Sequence, residues 1–213
     1  MLMDGDDYDA NEAQFLAATQ PGEAQARAQR RQQLDCASSG IIQSIVLINF
    51  MCHRKLQVNF GPHINFVIGH NGSGKSAVLT GITICLGGKA SSTNRASNLS
   101  GFIRAGEAAA EISLTLKNQG QDAYMPDQYG DAITIVRRIA KEGGSSGYKI
   151  KSADGKVVST RRDDVTAICD HMQLQPDNPM IILSQDNARQ FLSSSTPAQR
   201  YSVCSWAFLS LIY

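Results

Sequence analysis

Large apolar side chains are sparse through residue 39 and dense from residue 40 onward. GIIQSIVLINF (40–50) is β-branched and apolar, the pattern of a strand. KLQVNF (55–60) alternates and predicts a second strand. Gly61-Pro62 makes a turn, and HINFVIG (63–69) predicts a third, more buried strand. Residues 75–86 have helical spacing, and 87–106, rich in Gly, Ser and Asn, predict a loop. AAEISLTLKN (109–118) and AITIVRRIA (132–140) predict strands, and 147–160 predicts a hairpin turning at Asp154-Gly155. TRRDDVTAICDHMQL predicts a helix capped by Thr160, and PMIILSQD (179–186) a buried strand. A last helix opens at Thr196, with Pro197 at its first position and Gln199 closing a capping box.

Composition sharpens the boundary near residue 40. Residues 1–40 hold seven acidic and three basic side chains, net −4, while 41–213 hold 12 and 17, net +5. Residues 1–39 predict a disordered, acidic, Gln/Ala-rich tail, because so little apolar area cannot offset chain entropy. The mildly basic remainder is compatible with a polyanionic partner without requiring one. Five cysteines (Cys36, Cys52, Cys85, Cys169, Cys204) form no C-x-x-C pair, and nothing at the start resembles a signal peptide. They read as reduced thiols of an intracellular protein. Cys52-His53 has no second ligand pair at metal spacing. No apolar run reaches the roughly 18 residues needed to span a bilayer, so no membrane partner is expected.

The chemistry concentrates at Gly69-His70-Asn71-Gly72-Ser73-Gly74-Lys75-Ser76, which fits G-x-x-x-x-G-K-[ST]. Glycines allow a tight turn whose N–H groups face one concavity, backed by the positive end of the following helix. Lys75 reaches the β- and γ-phosphates of ATP as a point charge, and the Ser76 hydroxyl is a ligand for Mg²⁺. Asn71, Gly72, Ser73 and Gly74 supply the cradle. The apolar segments before and after the loop distinguish it from a chance glycine-rich turn.

Two carboxyl-end assignments stay open at this point. Asp186 could hold Mg²⁺ in a stand-alone kinase or NTPase; alternatively Gln185 is a strand-end glutamine touching Mg²⁺ and the attacking water, with Asp186 only a helix cap. A third reading is a non-catalytic, partner-binding module with an idle phosphate loop. LSGF (99–102) begins like an ATPase signature L-S-G-G but lacks the second glycine and lies just after the phosphate-loop helix, so it is set aside.

INFMCHRKLQVNF, INFVIGHNGSGKSAVLTGITICLGGKASSTNRASNL, FIRAGEAAAEISL and NPMIILSQDNARQFLSSSTPAQRY occur in order. Together they resemble the N-terminal head segment of the structural maintenance of chromosomes (SMC) proteins, from about Gly40 to Tyr201. The resemblance implies an α/β fold: the N-terminal lobe of an ABC-type P-loop ATPase head, a mixed sheet with an antiparallel subdomain and flanking helices. It implies that Asn71, Gly72, Gly74, Lys75 and Ser76 hold ATP and Mg²⁺, that Gln185 is the Q-loop residue, that Arg95 lies near the nucleotide, and that Met51 to Arg54 lie beside adenine or ribose. It further implies a nuclear, chromosomal role in DNA repair and recombination. The implied partners are the C-terminal half of the same head, a second SMC chain, non-SMC subunits, and DNA held nonspecifically by its backbone.

Arg137, Arg138, Lys141, Lys149, Lys151, Lys156, Arg161 and Arg162 gather on the hairpin and its flanks. They suit phosphate neutralisation, or else a solvated sheet edge guarded by cations. The signature motif and the Asp-Glu pair of the family's second half are absent, so turnover by this chain alone is not expected. SVCSWAFLSLIY (202–213) carries no charge and departs from the family's heptad-bearing helix, which reads as an aberrant, truncated end.

Overall fold

The computed structural model describes residues 37–90, 96, 98–141, 146–178, 181–185, 188–189 and 201. Residues 1–36 of the acidic tail, Arg95, Asp186, the capping box at Thr196 and the apolar end lie outside the described residues, while the tail's last residue, Ser39, opens the first strand.

Six strands form one sheet: β1 (Ser39–Phe50), β2 (His53–Asn59), β3 (Ala109–Asn118), β4 (Ala132–Ala140), β5 (Gly147–Lys151) and β6 (Val157–Ser159), in the order β2-β1-β3-β4-β5-β6. Every pairing among them is antiparallel. Helix α1 (Lys75–Cys85) packs on β1, β3 and β4; α2 (Pro126–Tyr129) is a single turn; α3 (Arg162–His171) packs on β5.

Period-2 alternation aims one side chain of each pair at α1. Ile45, Leu114, Ile135 and Ile150 are directly opposite one another across four strands and are fully buried. Burying each such side chain stabilises the fold by about 1.5–3 kcal/mol. Gly81 brings α1 onto this surface, since a Cβ there would meet Leu47 Cδ2 at 2.7 Å. The expected strands at 109–118 and 132–140 are present with those bounds, and Gly155 (φ 78°) turns the 147–160 hairpin.

Three expectations are corrected. Residues 63–69 are not a strand: they run as irregular, exposed chain, with Phe66 84% and Ile68 90% exposed. The described part of 179–186 likewise lacks a ladder, and Ile181 and Leu183 are exposed. A buried strand needs a neighbour for its backbone groups, and no described strand pairs with either segment. The parallel part of the expected mixed sheet is therefore not among the described residues. Finally, Thr160 does not cap α3. Arg161 is the N-cap residue; Ser159 Oγ accepts from Arg161 N–H at 3.1 Å and donates to Asp164. LSGF forms a short 3₁₀ turn capped by Asn98, whose side chain accepts from Gly101 N–H at 3.2 Å, which accounts for that sequence locally.

Candidate nucleotide site

The phosphate loop is built by two left-handed glycines, Gly72 (φ 84°) and Gly74 (φ 85°), which reverse the chain into α1. Side chains with a Cβ rarely adopt this conformation. Ser73 N–H donates to His70 O at 3.1 Å and closes the turn. Lys75 Nζ donates to the carbonyls of Gly69 (2.7 Å) and His70 (2.8 Å), so its ammonium spans the start of the loop. Asn71, Gly72 and Ser73 are exposed, Lys75 is half-buried, and Ser76 is exposed in the first turn of α1. No acidic residue sits in that turn, which leaves the positive helix end uncompensated.

The turn between β1 and β2 buttresses this loop. Phe50 pairs with His53, leaving Met51 and Cys52 as the connection. Asn49 and Met51 both have φ 51°, a left-handed backbone costing of order 1–3 kcal/mol each for such residues. The surroundings impose it. Met51 N–H donates to Phe102 O at 2.7 Å, Arg104 N–H donates to Asn49 O at 2.9 Å, and Phe50 stacks on Phe102 with ring centroids 5.7 Å apart. The result presses Cys52 and His53 against Gly74. A Cβ on Gly74 would lie 2.0 Å from His53 Nε2 and 2.8 Å from Cys52 Sγ. The spacing of Cys and His in sequence gave no sign of this packing role. Among the described residues no group of three or more metal-ligating side chains occurs.

Contiguity alone brings together 69–76. Gln185 is exposed at the start of a helical turn, where Ala188 N–H donates to Ser184 O at 2.9 Å, and no hydrogen bond or ion pair among the described residues joins it to the loop. The basic residues do not form one patch. Arg137 and Arg138 are consecutive on β4 and therefore face opposite sides of the sheet. Arg138 and Lys149 are exposed, whereas Arg137 lies in the inward row with Ile133, Ile135 and Ile139. Inside the core, Cys85, the last residue of α1, is fully buried, and burial pushes its thiol well above the usual range. Burial, with Asp170 adding to it, pushes Cys169 to about 12.

A glycine loop closed by lysine and running directly into a helix packed on a sheet defines a phosphate-loop ATPase fold. The chain belongs to the AAA domain family, whose model matches residues 44–202. Nucleotide binding goes with that membership. Within it, the sequence is similar to the head segment of structural maintenance of chromosomes protein 6: 58% identical to the Schizosaccharomyces pombe protein over 164 residues and 50% to the human protein over 169 residues. These matches cover 77% and 79% of this chain but only 14% and 15% of the relatives, so the chain spans about a seventh of their length. Two solved structures share the fold. One, described under ATP-driven dimerisation and DNA-stimulated activation of SMC ATPases, has TM-score 0.64 at 25% identity and covers 78% of this chain and 98% of its own. The other, an SMC head bound to the C-winged helix domain of ScpA, has TM-score 0.60 at 26% identity and covers 73% and 47%. The ABC-type head fold and the SMC resemblance both stand on these likenesses.

Proposed function

We propose that this chain is the ATP-binding half of an SMC-type ATPase head acting in chromosome maintenance and recombinational DNA repair in the nucleus. The observation that carries the reading is the loop itself: two left-handed glycines, a lysine tied across the loop's first carbonyls, and an uncompensated helix N-terminus. Asn71, Gly72, Ser73, Gly74 and Lys75 bind the phosphates of ATP. The donor set suits Mg²⁺ through the hydroxyl of Ser76 and the amide oxygen of Gln185, both neutral oxygen ligands of the kind this hard cation takes. When bound, Mg²⁺ supplies neutralisation of phosphate charge. Gln185 orients the attacking water, Arg95 lies near the nucleotide, and the Met51–Arg54 turn borders the base or ribose.

The exposed apolar segments 64–68 and 181–183 support a half-head. Contiguous apolar chain of this kind marks an interaction surface. The C-terminal half of the same head covers it and brings the missing catalytic motifs. The larger assembly includes the fifth SMC member, non-SMC subunits, and DNA gripped through phosphates by Arg138, Lys149 and their neighbours. A stand-alone kinase or NTPase built on Asp186 has less support, because the sequence likeness is to SMC proteins.

The test is binding of a fluorescent ATP analogue and ATP turnover, measured for the chain alone and with the separately expressed C-terminal half. Binding that Lys75→Ala weakens at least tenfold, with turnover only in the mixture, is expected. Turnover by the chain alone that Asp186→Ala abolishes would replace the half-head with the stand-alone enzyme.

A further inference from the structure

A second concave site lies at the other end of α1, roughly 16 Å of helix away from the phosphate loop. It is a cavity of about 280 Å³ whose walls include Gly87, Gly88, Lys89, Arg137, Tyr148 and Arg162. Its chemistry is set by Arg137. Leu47, Ile112, Arg137 and Tyr148 are directly opposite one another across β1, β3, β4 and β5. Leu47 and Ile112 are fully buried, so this row of the core carries a guanidinium where its neighbours are aliphatic.

The cation is only partly compensated. Its guanidinium carbon lies 4.1 Å from the centroid of the Tyr148 ring, a cation–π contact. Its Nε is buried and has no hydrogen-bond partner. Among the described residues no carboxylate pairs with it. A cation left without a carboxylate partner is costly, so an anion delivered to this cavity gains by pairing with the guanidinium. Arg162 adds a second guanidinium. Its Nη2 donates to Gly87 O at 3.3 Å, which fixes the head group at the rim and leaves other N–H donors available. Lys89 stands beside it, its backbone N–H donating to Asp177 Oδ1 at 3.2 Å.

We propose that this cavity binds a phosphate group, with Arg137 and Arg162 as its cationic walls and Lys89 at its mouth. The planar forks of two arginines match the oxygens of a tetrahedral phosphate better than they match a halide. The site is separate from the ATP loop and does not depend on it. The phosphate arrives either on a nucleic-acid strand or on a small phosphorylated molecule.

The experiment titrates the 213-residue chain with inorganic phosphate and follows the Nε–H resonance of Arg137 by NMR. The expected result is a saturable shift that weakens at least tenfold in Arg162→Gln, weakens also in Lys89→Gln, and persists in Lys75→Ala. Both of the first two side chains are on the exposed rim, so the readout does not require replacing Arg137 itself. No saturable shift, an undiminished one in Arg162→Gln, or one lost in Lys75→Ala would overturn the proposal. The persistence in Lys75→Ala also separates this site from the nucleotide reading. Single strands with a 5′-phosphate and with a 5′-hydroxyl then compete with phosphate. Competition by both assigns a backbone phosphate, by the first alone a terminal phosphate, and by neither a small molecule; each supports the pocket.

Discussion

The imidazole of His53 occupies the space that a side chain at Gly74 would need. His53 Nε2 lies 3.4 Å from Gly74 O, and a Cβ on Gly74 would stand 2.0 Å from the same nitrogen. The turn joining the first two strands is thereby a wall of the phosphate loop. Gly74→Ala suffers twice, from this clash and from the left-handed backbone, which alone costs about 1–2 kcal/mol. Urea unfolding of Gly74→Ala should show at least that loss, together with loss of ATP-analogue binding. Adding His53→Ala should recover the imidazole's share of the clash, but neither the Cys52 Sγ contact at 2.8 Å nor the backbone part. A double variant no more stable than Gly74→Ala would show that the contact is not what excludes a side chain there.

Asn118 ends β3 in a buried position and ties down the loop that follows. Its side-chain oxygen accepts from Tyr124 N–H at 2.7 Å, and Nδ2 donates to Tyr124 O (3.0 Å) and Gly130 O (2.7 Å). Asn118 is 1% exposed, so water cannot replace these bonds. Asn118→Ala should cost about 3 kcal/mol, three net bonds of roughly 1 kcal/mol each. Equilibrium denaturation measures it; a loss under 1 kcal/mol would mean that the loop finds other partners.

Alkali should unfold this chain through its buried thiols. Cys169 is raised from the ordinary 9.0 to about 12, and Cys85 is raised further, burial being the main cause for both. An acid whose folded pKa is raised contributes stability that is whole below its unfolded pKa and is lost as pH climbs above it. Stability should therefore hold below pH 9 and fall between about 9 and 12, by up to about 1.4 kcal/mol per pH unit per thiol. Unfolding midpoints across that range should fall less steeply in Cys169→Ala than in the parent. Equal slopes would place the titration elsewhere.

The segment 64–68 offers the largest apolar exposure described. Ile64, Phe66 and Ile68 are each more than four-fifths exposed. Phe66→Asp with Ile68→Asp should lower binding of an environment-sensitive hydrophobic dye and slow aggregation. The unfolding midpoint should move by no more than about 0.5 kcal/mol, as for other surface changes. In the half-head reading the same pair should block association with the C-terminal half. A large loss of stability would show that these side chains pack in solution.

The antiparallel sheet was legible because each of its strands carries its own signal. Ala109–Asn118 alternates without a break, and Asp154-Gly155 announces its hairpin. The phosphate loop was legible for a related reason: its glycines, lysine and serine act within eight consecutive residues, so no distant contact is needed to assemble it. Residues 63–69 and 179–186 are as apolar as any strand, yet apolarity says only that a segment wants covering. Whether it becomes a strand depends on a neighbour that local sequence does not encode.

Sequence by itself determined the phosphate-loop motif, the strands of the antiparallel sheet and the family, because period, turn residues and a contiguous motif are local quantities. Tertiary structure alone decided that His53 walls the loop at Gly74, that Ser159 rather than Thr160 serves the start of α3, and that Arg137 and Arg138 part company across the sheet. Each of these depends on which strands become neighbours and in what register. Pairing across the sheet set Arg137 against Tyr148 in the core row of Leu47 and Ile112, which leaves its guanidinium half-buried over the ring rather than on the surface.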